Sequence, residues 1–122
     1  MSRFVFLVNG PPRCGKDTFG TMLIWNSPRP TYHAKMSKLL KERTHALYGL
    51  RAADGGVMPH NRFEACKDEP RDEFLGITPR QAYIAVSERL LKPMHGDEVL
   101  GRLLVADIEA NGGGAEVVVV TD

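Results

Sequence analysis

Long apolar runs are missing from this sequence. The longest, such as Phe4–Val8, are far too short to cross a bilayer. Arg3 followed by Phe4–Val8 is also too short for a secretory signal core, and no small-residue cleavage site follows. The chain is therefore expected in the cytoplasm, with no membrane partner. Cysteine is scarce. Cys14 and Cys66 form neither a disulfide framework nor a metal-ligand spacing, so reduced thiols are expected. Charge of one sign is missing as well. Sixteen Lys and Arg against 15 Asp and Glu leave a formal net charge of +1, which gives no field for nucleic acid, although a local basic pocket stays open. His33, His45, His60 and His95 are scattered and suggest no metal cluster. No internal repeat or long low-complexity segment is present. What remains is an ordinary globular composition in 122 residues, enough for one small domain with a core.

Phe4–Val8 reads as a strand buried on both faces, as in a parallel sheet. From Lys16 the pattern turns helical, with Phe19, Met22 and Leu23 at helical spacing, to about Trp25, which is expected to pack at the helix end. Ser27-Pro28-Arg29-Pro30 stops it. Residues 31–34 are expected to form a short strand. Residues 36–48 are expected to form a helix with Met36, Leu39, Leu40 and Leu47 on one side and Gly49 as its stop. Residues 51–76 carry many charges and little periodicity, and are read as mostly irregular with one helical turn. Thr78-Pro79-Arg80-Gln81 is a helix start: Thr78 caps, Pro79 suits the first position and Gln81 completes a capping box. Ala82, Ala85, Val86 and Leu90 follow on one face, and Pro93 is expected to end that helix, with His95 in a Pro-Met-His-Gly turn. Asp97 caps another helix carrying Val99, Leu100, Leu103, Leu104 and Ile108, ended by Asn111 and three glycines. Val117–Val120 is a second buried strand. The order implies right-handed crossovers and a parallel sheet. Two or three strands are few for an open α/β sheet, so the sequence is expected to be the N-terminal part of a longer protein.

The stretch after the first strand carries the chemistry. Gly10, four residues, Gly15 and Lys16 have the spacing of a phosphate-binding loop, with Asp17 where Ser or Thr is usual. Roughly 0.04 accidental matches of this spacing are expected in a chain of this size, taking Gly near 7% of residues and Lys as similar. Placed between a strand and a helix, backbone N–H groups from about Arg13 through Cys14 to Thr18 would cradle phosphate oxygens. Gly10 and Gly15 supply backbone freedom. Lys16 would reach the β- and γ-phosphates. The plainer alternative is a turn followed by a solvated lysine. Asp17 has two readings: a hard oxygen ligand for Mg²⁺, or a first-turn acid favoured by the helix dipole. Thr18 offers a hydroxyl one residue later. Asp122, after four valines and a threonine, stands at the carboxyl end of a strand, where ligands of open α/β sheets bind, and would hold a Mg²⁺-bound water. Cys14, at a helix N-terminus beside bound phosphate, would have a lowered pKa and be sensitive to alkylation.

"NGPPRCGKDTFG" resembles the Gly-Lys-Asp-Thr phosphate loop of phage-type deoxynucleoside monophosphate kinases. "SKLLKERTHALYGL", "FEACKDEP", "GITPRQAYIAVSERLLKPMHGDEVLG" and "VVVVTD" are similar to further segments of that family, in the same order. The resemblance implies an α/β, P-loop NTPase-like three-layer fold with a parallel sheet, here without the C-terminal strands and lid. It implies residues 1–122 as one kinase domain, incomplete at its C-terminus, with residues 51–76 as an acceptor-side insertion. It implies transfer of the γ-phosphoryl of ATP, with Mg²⁺, to a deoxynucleoside monophosphate in the cytoplasm of a host cell. Lys16 and Arg80 would be catalytic. Gly10, Arg13, Cys14, Gly15, Lys16, Asp17 and Thr18 would bind ATP, and Asp17, Thr18 and Asp122 the metal. Lys41, Arg80, Gln81, Glu64 and Lys67 would face the acceptor. Arg80 suits a bidentate phosphate clamp, against the alternative of a solvated arginine poorly placed for the helix dipole. Lys41 and Arg43 also read as a solvated helix face. Two other functions stay open: a small-metabolite kinase of the phosphomevalonate-kinase type, and a truncated, non-catalytic nucleotide-binding protein. One uncovered sheet edge leaves a homodimer open too.

Overall fold

In the computed structural model, Phe4–Val8, Thr18, Phe19, Met22, Trp25, Asn26 and residues 28–121 are described. The chain divides into two compact units, Met1–Met36 with Gly101–Asp122, and Ser37–Leu100.

The first unit holds a parallel sheet of β1 (Phe4–Val8), β2 (Thr31–Lys35) and β3 (Val117–Thr121), in the order β1-β3-β2. The chain is thus an α/β protein, as its element order predicts. β3 lies in the middle and all five of its residues are buried. Four consecutive β-branched valines suit that place, because a central parallel strand is covered on both faces and stiff side chains lose little freedom there. The register pairs Val8 with Thr121 and Lys35 with Thr121, so the last residues of the three strands form one row. The helix Val99–Asn111 (α4) leads into β3. The Tyr32 hydroxyl donates to Asp107 Oδ2 at 2.7 Å and ties β2 to that helix. Burial and this carboxylate push the Tyr32 phenol up to about 12. The helix ends at Asn111, and at Gly112, the next residue, a Cβ would lie 2.4 Å from the Ile108 carbonyl oxygen; only glycine fits.

Two expectations for this unit need correction. β1 is not buried on both faces: Phe4, Val5, Phe6 and Leu7 are exposed, Leu7 by 75%. β1 is an outer strand with β3 as its partner among the described residues. An apolar run reports apolar character, whereas burial also needs covering layers. Thr18, Phe19, Met22, Trp25 and Asn26 are helical, as the spacing predicts, but Trp25 is 82% exposed and does not pack at the helix end.

The second unit starts with α1 (Met36–Leu47), whose buried residues are Leu39, Thr44 and His45, while Leu47 is exposed. Gly49 follows at φ +69, the left-handed conformation that glycine adopts without steric cost. Residues 51–76 hold an isolated bridge between Arg51 and Val57 and two 3-10 turns, Glu64–Cys66 and Asp72–Phe74, one turn more than the sequence suggests. These turns bury Phe63 and Phe74 against Ala82 and Tyr83, with Leu40, Tyr48, Leu50, Met58 and Cys66 packed around them.

Helix α2 (Pro79–Ala85) begins with the expected capping box: Thr78 Oγ1 accepts the Gln81 N–H and Gln81 Oε1 accepts the Thr78 N–H. Pro93 does not end this helix. A π-helical segment, Val86–Leu91, continues into α3 (Lys92–His95), and Gly96 at φ +93 follows. The Lys92 N–H donates to the Ser87 carbonyl five residues back. A wide turn draws the preceding carbonyls away from the pyrrolidine ring, which in a regular helix clashes four residues back. The extra residue also shifts the phase of the apolar stripe. Val86 and Ser87 are buried, and Leu90 is exposed rather than on the apolar face. His95 is the last helical residue, not a turn residue. Among the described residues, no helix is long and apolar enough to cross a membrane.

Candidate functional site

The candidate residues fall in both units, and of the first unit's group Thr18 alone is among the described residues. In the first unit the site is the carboxyl edge of the sheet. Val8, the residue before Asn9 and the loop sequence, pairs with Thr121, the residue before Asp122. β1 and β3 therefore end side by side, at the same row and the same edge of the sheet. Gly10, Arg13, Cys14, Gly15, Lys16, Asp17 and Asp122 lie outside the described residues. Thr18 is helical and exposed. Among the described residues no group of three or more His, Cys, Asp or Glu side chains could hold a metal ion.

The same row carries residues that the sequence did not single out. Lys35 ends β2 opposite Thr121. His33, on the same face two residues earlier, shares a 2.8 Å hydrogen bond between its Nε2 and Thr121 Oγ1. Strand alternation puts residues 33 and 35 on one face; Lys35 is level with Thr121, and His33, level with Val119, reaches Thr121 through its ring. Only the pairing reveals this, since neither residue belongs to a motif.

The second unit holds the acceptor-side candidates, and it brings four of them together. Lys41 projects from α1 and its Nζ donates to Glu64 Oε1 at 2.5 Å. Glu64 opens a 3-10 turn, and its other oxygen lies 3.7 Å from Lys67 Nζ. The Arg80 backbone N–H donates to the Lys67 carbonyl at 3.0 Å, which fastens the start of α2 to this turn. The Arg80 guanidinium forks onto Asp68: Nε to Oδ1 at 2.6 Å and Nη2 to Oδ2 at 3.3 Å. Asp68 was not among the residues read from the sequence. Three cations and two carboxylates thus form one exposed cluster. Burial alone would raise Glu64, but its hydrogen bond to Lys41 and the charges of Lys41 and Lys67 hold the carboxyl below its ordinary value. The Arg80 hydrogen bond holds Asp68 below its ordinary value too.

Local sequence explains the placing of Arg80. The capping box fixes the first turn of α2 and leaves Arg80, its second residue, pointing to solvent. Gln81 is occupied differently. Its Oε1 closes the box, and its side chain also lines a groove of about 310 Å³ with Ile77, Ile84, Ala85 and Arg89.

Beneath the cluster lies a residue whose part the sequence does not disclose. His45 is fully buried, edge-on to Phe63 at 5.3 Å and near Phe74 and Tyr83. Its Nδ1 lies 2.8 Å from the Met58 carbonyl, so Nδ1 carries the proton and donates, and Nε2 accepts from the Tyr83 hydroxyl at 2.7 Å. Burial lowers its pKa from 6.5, because the charged ring loses its hydration there. Burial also pushes the Tyr83 phenol up. Lys41 lies one helical turn before His45, and its Nζ stands 5.8 Å from the centre of the Tyr83 ring. The helix face that buries His45 therefore sets Lys41 at the rim.

Comparison of the chain with protein-family models, with curated proteins and with solved structures returns no match.

Proposed function

We propose that this chain is a P-loop nucleotide-kinase core that transfers the γ-phosphoryl group of ATP to a deoxynucleoside monophosphate. The observation that carries the reading is the pairing of Val8 with Thr121. It brings the chain leading into "NGPPRCGKDTFG" beside the chain leading into Asp122, at the sheet edge where α/β proteins bind ligands. The helical state of Thr18 agrees with a loop that opens a helix.

In this reading an oxygen of the acceptor phosphate attacks the γ-phosphorus in line. The new P–O bond forms as the bond to the β–γ bridging oxygen breaks, and ADP leaves. Lys16 balances charge on the β- and γ-phosphates. Arg80 and Lys41 hold the acceptor phosphate, Arg80 through its planar fork. Glu64, Lys67 and Gln81 border the acceptor. Asp17, Thr18 and Asp122 would hold Mg²⁺, which neutralises charge on the phosphates. The work is positioning and electrostatics, without a covalent intermediate.

The test is ADP release from Mg-ATP with each common deoxynucleoside monophosphate offered singly, and with phosphorylated small metabolites in parallel. Release that depends on one or a few deoxynucleotides supports the proposal. Release with a small metabolite alone moves the chain to a different kinase class, and silence with every acceptor removes the kinase reading.

A further inference from the structure

We propose that Asp68 is a built-in competitor for the acceptor phosphate: it occupies the Arg80 fork until a dianionic phosphate monoester displaces it. This inference rests on the acceptor-side reading of the Lys41, Lys67 and Arg80 cluster.

The geometry of the pair carries it. A guanidinium offers two parallel N–H groups to a planar pair of oxygens, and carboxylate and phosphate use the same fork. Here both strands of the fork, Nε and Nη2, are taken by the two Asp68 oxygens at 2.6 and 3.3 Å. An acceptor phosphate cannot use that fork while Asp68 holds it. The adjoining cations are occupied in the same way, since Glu64 sits between Lys41 at 2.5 Å and Lys67 at 3.7 Å. Three basic side chains are thus offset by two acidic ones, and the cluster has little net attraction for weakly charged ligands.

Exchange at this place is easy. The Arg80 and Asp68 side chains are 51% and 68% exposed, and an exposed ion pair contributes little to stability. The backbone anchor of Arg80 is independent of the pair, because its N–H bonds to the Lys67 carbonyl and the capping box holds the first turn of α2. Releasing Asp68 therefore frees the guanidinium without unfastening the helix. A phosphate monoester near neutral pH carries close to two negative charges against one on the aspartate, and it presents three oxygens. It outbids the carboxylate where a nucleoside, a diester or a lone carboxylate ligand does not. The device selects for charge at the phosphate before any contact with the base.

The experiment titrates inorganic phosphate, and separately each common deoxynucleoside monophosphate, into the full chain, with binding followed by NMR shifts of residues 64–81. Wild type is compared with Asp68→Asn, Arg80→Gln and the double variant, and thermal melts confirm that each is folded. Asp68→Asn is expected to tighten phosphate binding about two- to fivefold. Arg80→Gln is expected to weaken it, and in the double variant the gain from Asp68→Asn disappears. Glu64→Gln gives a second, independent gain through Lys41 and Lys67. Unchanged or weaker binding in Asp68→Asn overturns the proposal, weaker binding showing that Asp68 instead positions Arg80 for the ligand. No measurable binding by wild type and Asp68→Asn alike also overturns it. The kinase reading fails separately, by lack of ADP release in chains that bind phosphate.

Discussion

At the residue scale, the sequence shows what a side chain can do but not whether it is covered. Lys41 and Arg80 are candidates through the family resemblance, and the structure shows each of them paired with an acid, Glu64 and Asp68. His45 could not be read from the sequence. Nothing in "KERTHALYGL" separates a buried histidine from a solvated one, and the decision lies with Phe63, Phe74 and Tyr83, which are 18 to 38 positions away. Asp68 was missed for the opposite reason: in a charged loop any acid looks solvated, and only the fold aims it at Arg80. The buried imidazole leads to a prediction. Its folded pKa lies below 6.5, so as the pH falls the unfolded chain takes up the proton first. The stability it contributes is complete above about pH 6.5 and declines as the pH drops below that value. The groups that the ring senses are Glu42, which favours the charged form, and His60 and Lys41, which oppose it; the Tyr83 hydroxyl hydrogen-bonds its Nε2. Urea unfolding near pH 7.5 and near pH 5 should show a larger loss for wild type than for His45→Gln. Equal losses would mean that the ring carries no such linkage.

At the element scale, local rules read well and packing rules less so. The start of α2 was fully legible, because a capping box involves four consecutive residues and no tertiary partner. Thr78→Ala should therefore cost about 1 kcal/mol in urea unfolding, with a range of about 0.5–2. A change within error would show that the backbone N–H groups find other acceptors. Gly49 was legible on the same grounds. At φ +69, with no atom within 4 Å of a built Cβ, Gly49→Ala should pay backbone strain alone, about 1–2 kcal/mol. A stabilised variant would contradict that conformation. Pro93 was misread because the rule that proline stops a helix assumes a regular turn before it, and here the turn is wide. β1 was misread because strand centrality depends on pairing order, which five apolar residues cannot encode.

At the scale of the molecule, element order alone gave the α/β class and the parallel sheet, since strands separated by helices need crossovers. What it could not give was register. Register is what sets Val8 and Lys35 beside Thr121, in one row at the carboxyl edge of the sheet. The proposed function assigns phosphoryl transfer to this edge and the charge that supports it to Lys16. The most direct measurement is ADP release from Mg-ATP with deoxynucleoside monophosphate acceptors, made on wild type and Lys16→Ala, both confirmed as folded by circular dichroism. Wild type is expected to show acceptor-dependent release, and Lys16→Ala a loss of at least about 100-fold. Equal rates in the two chains, or no acceptor-dependent release by folded wild type, would contradict that assignment.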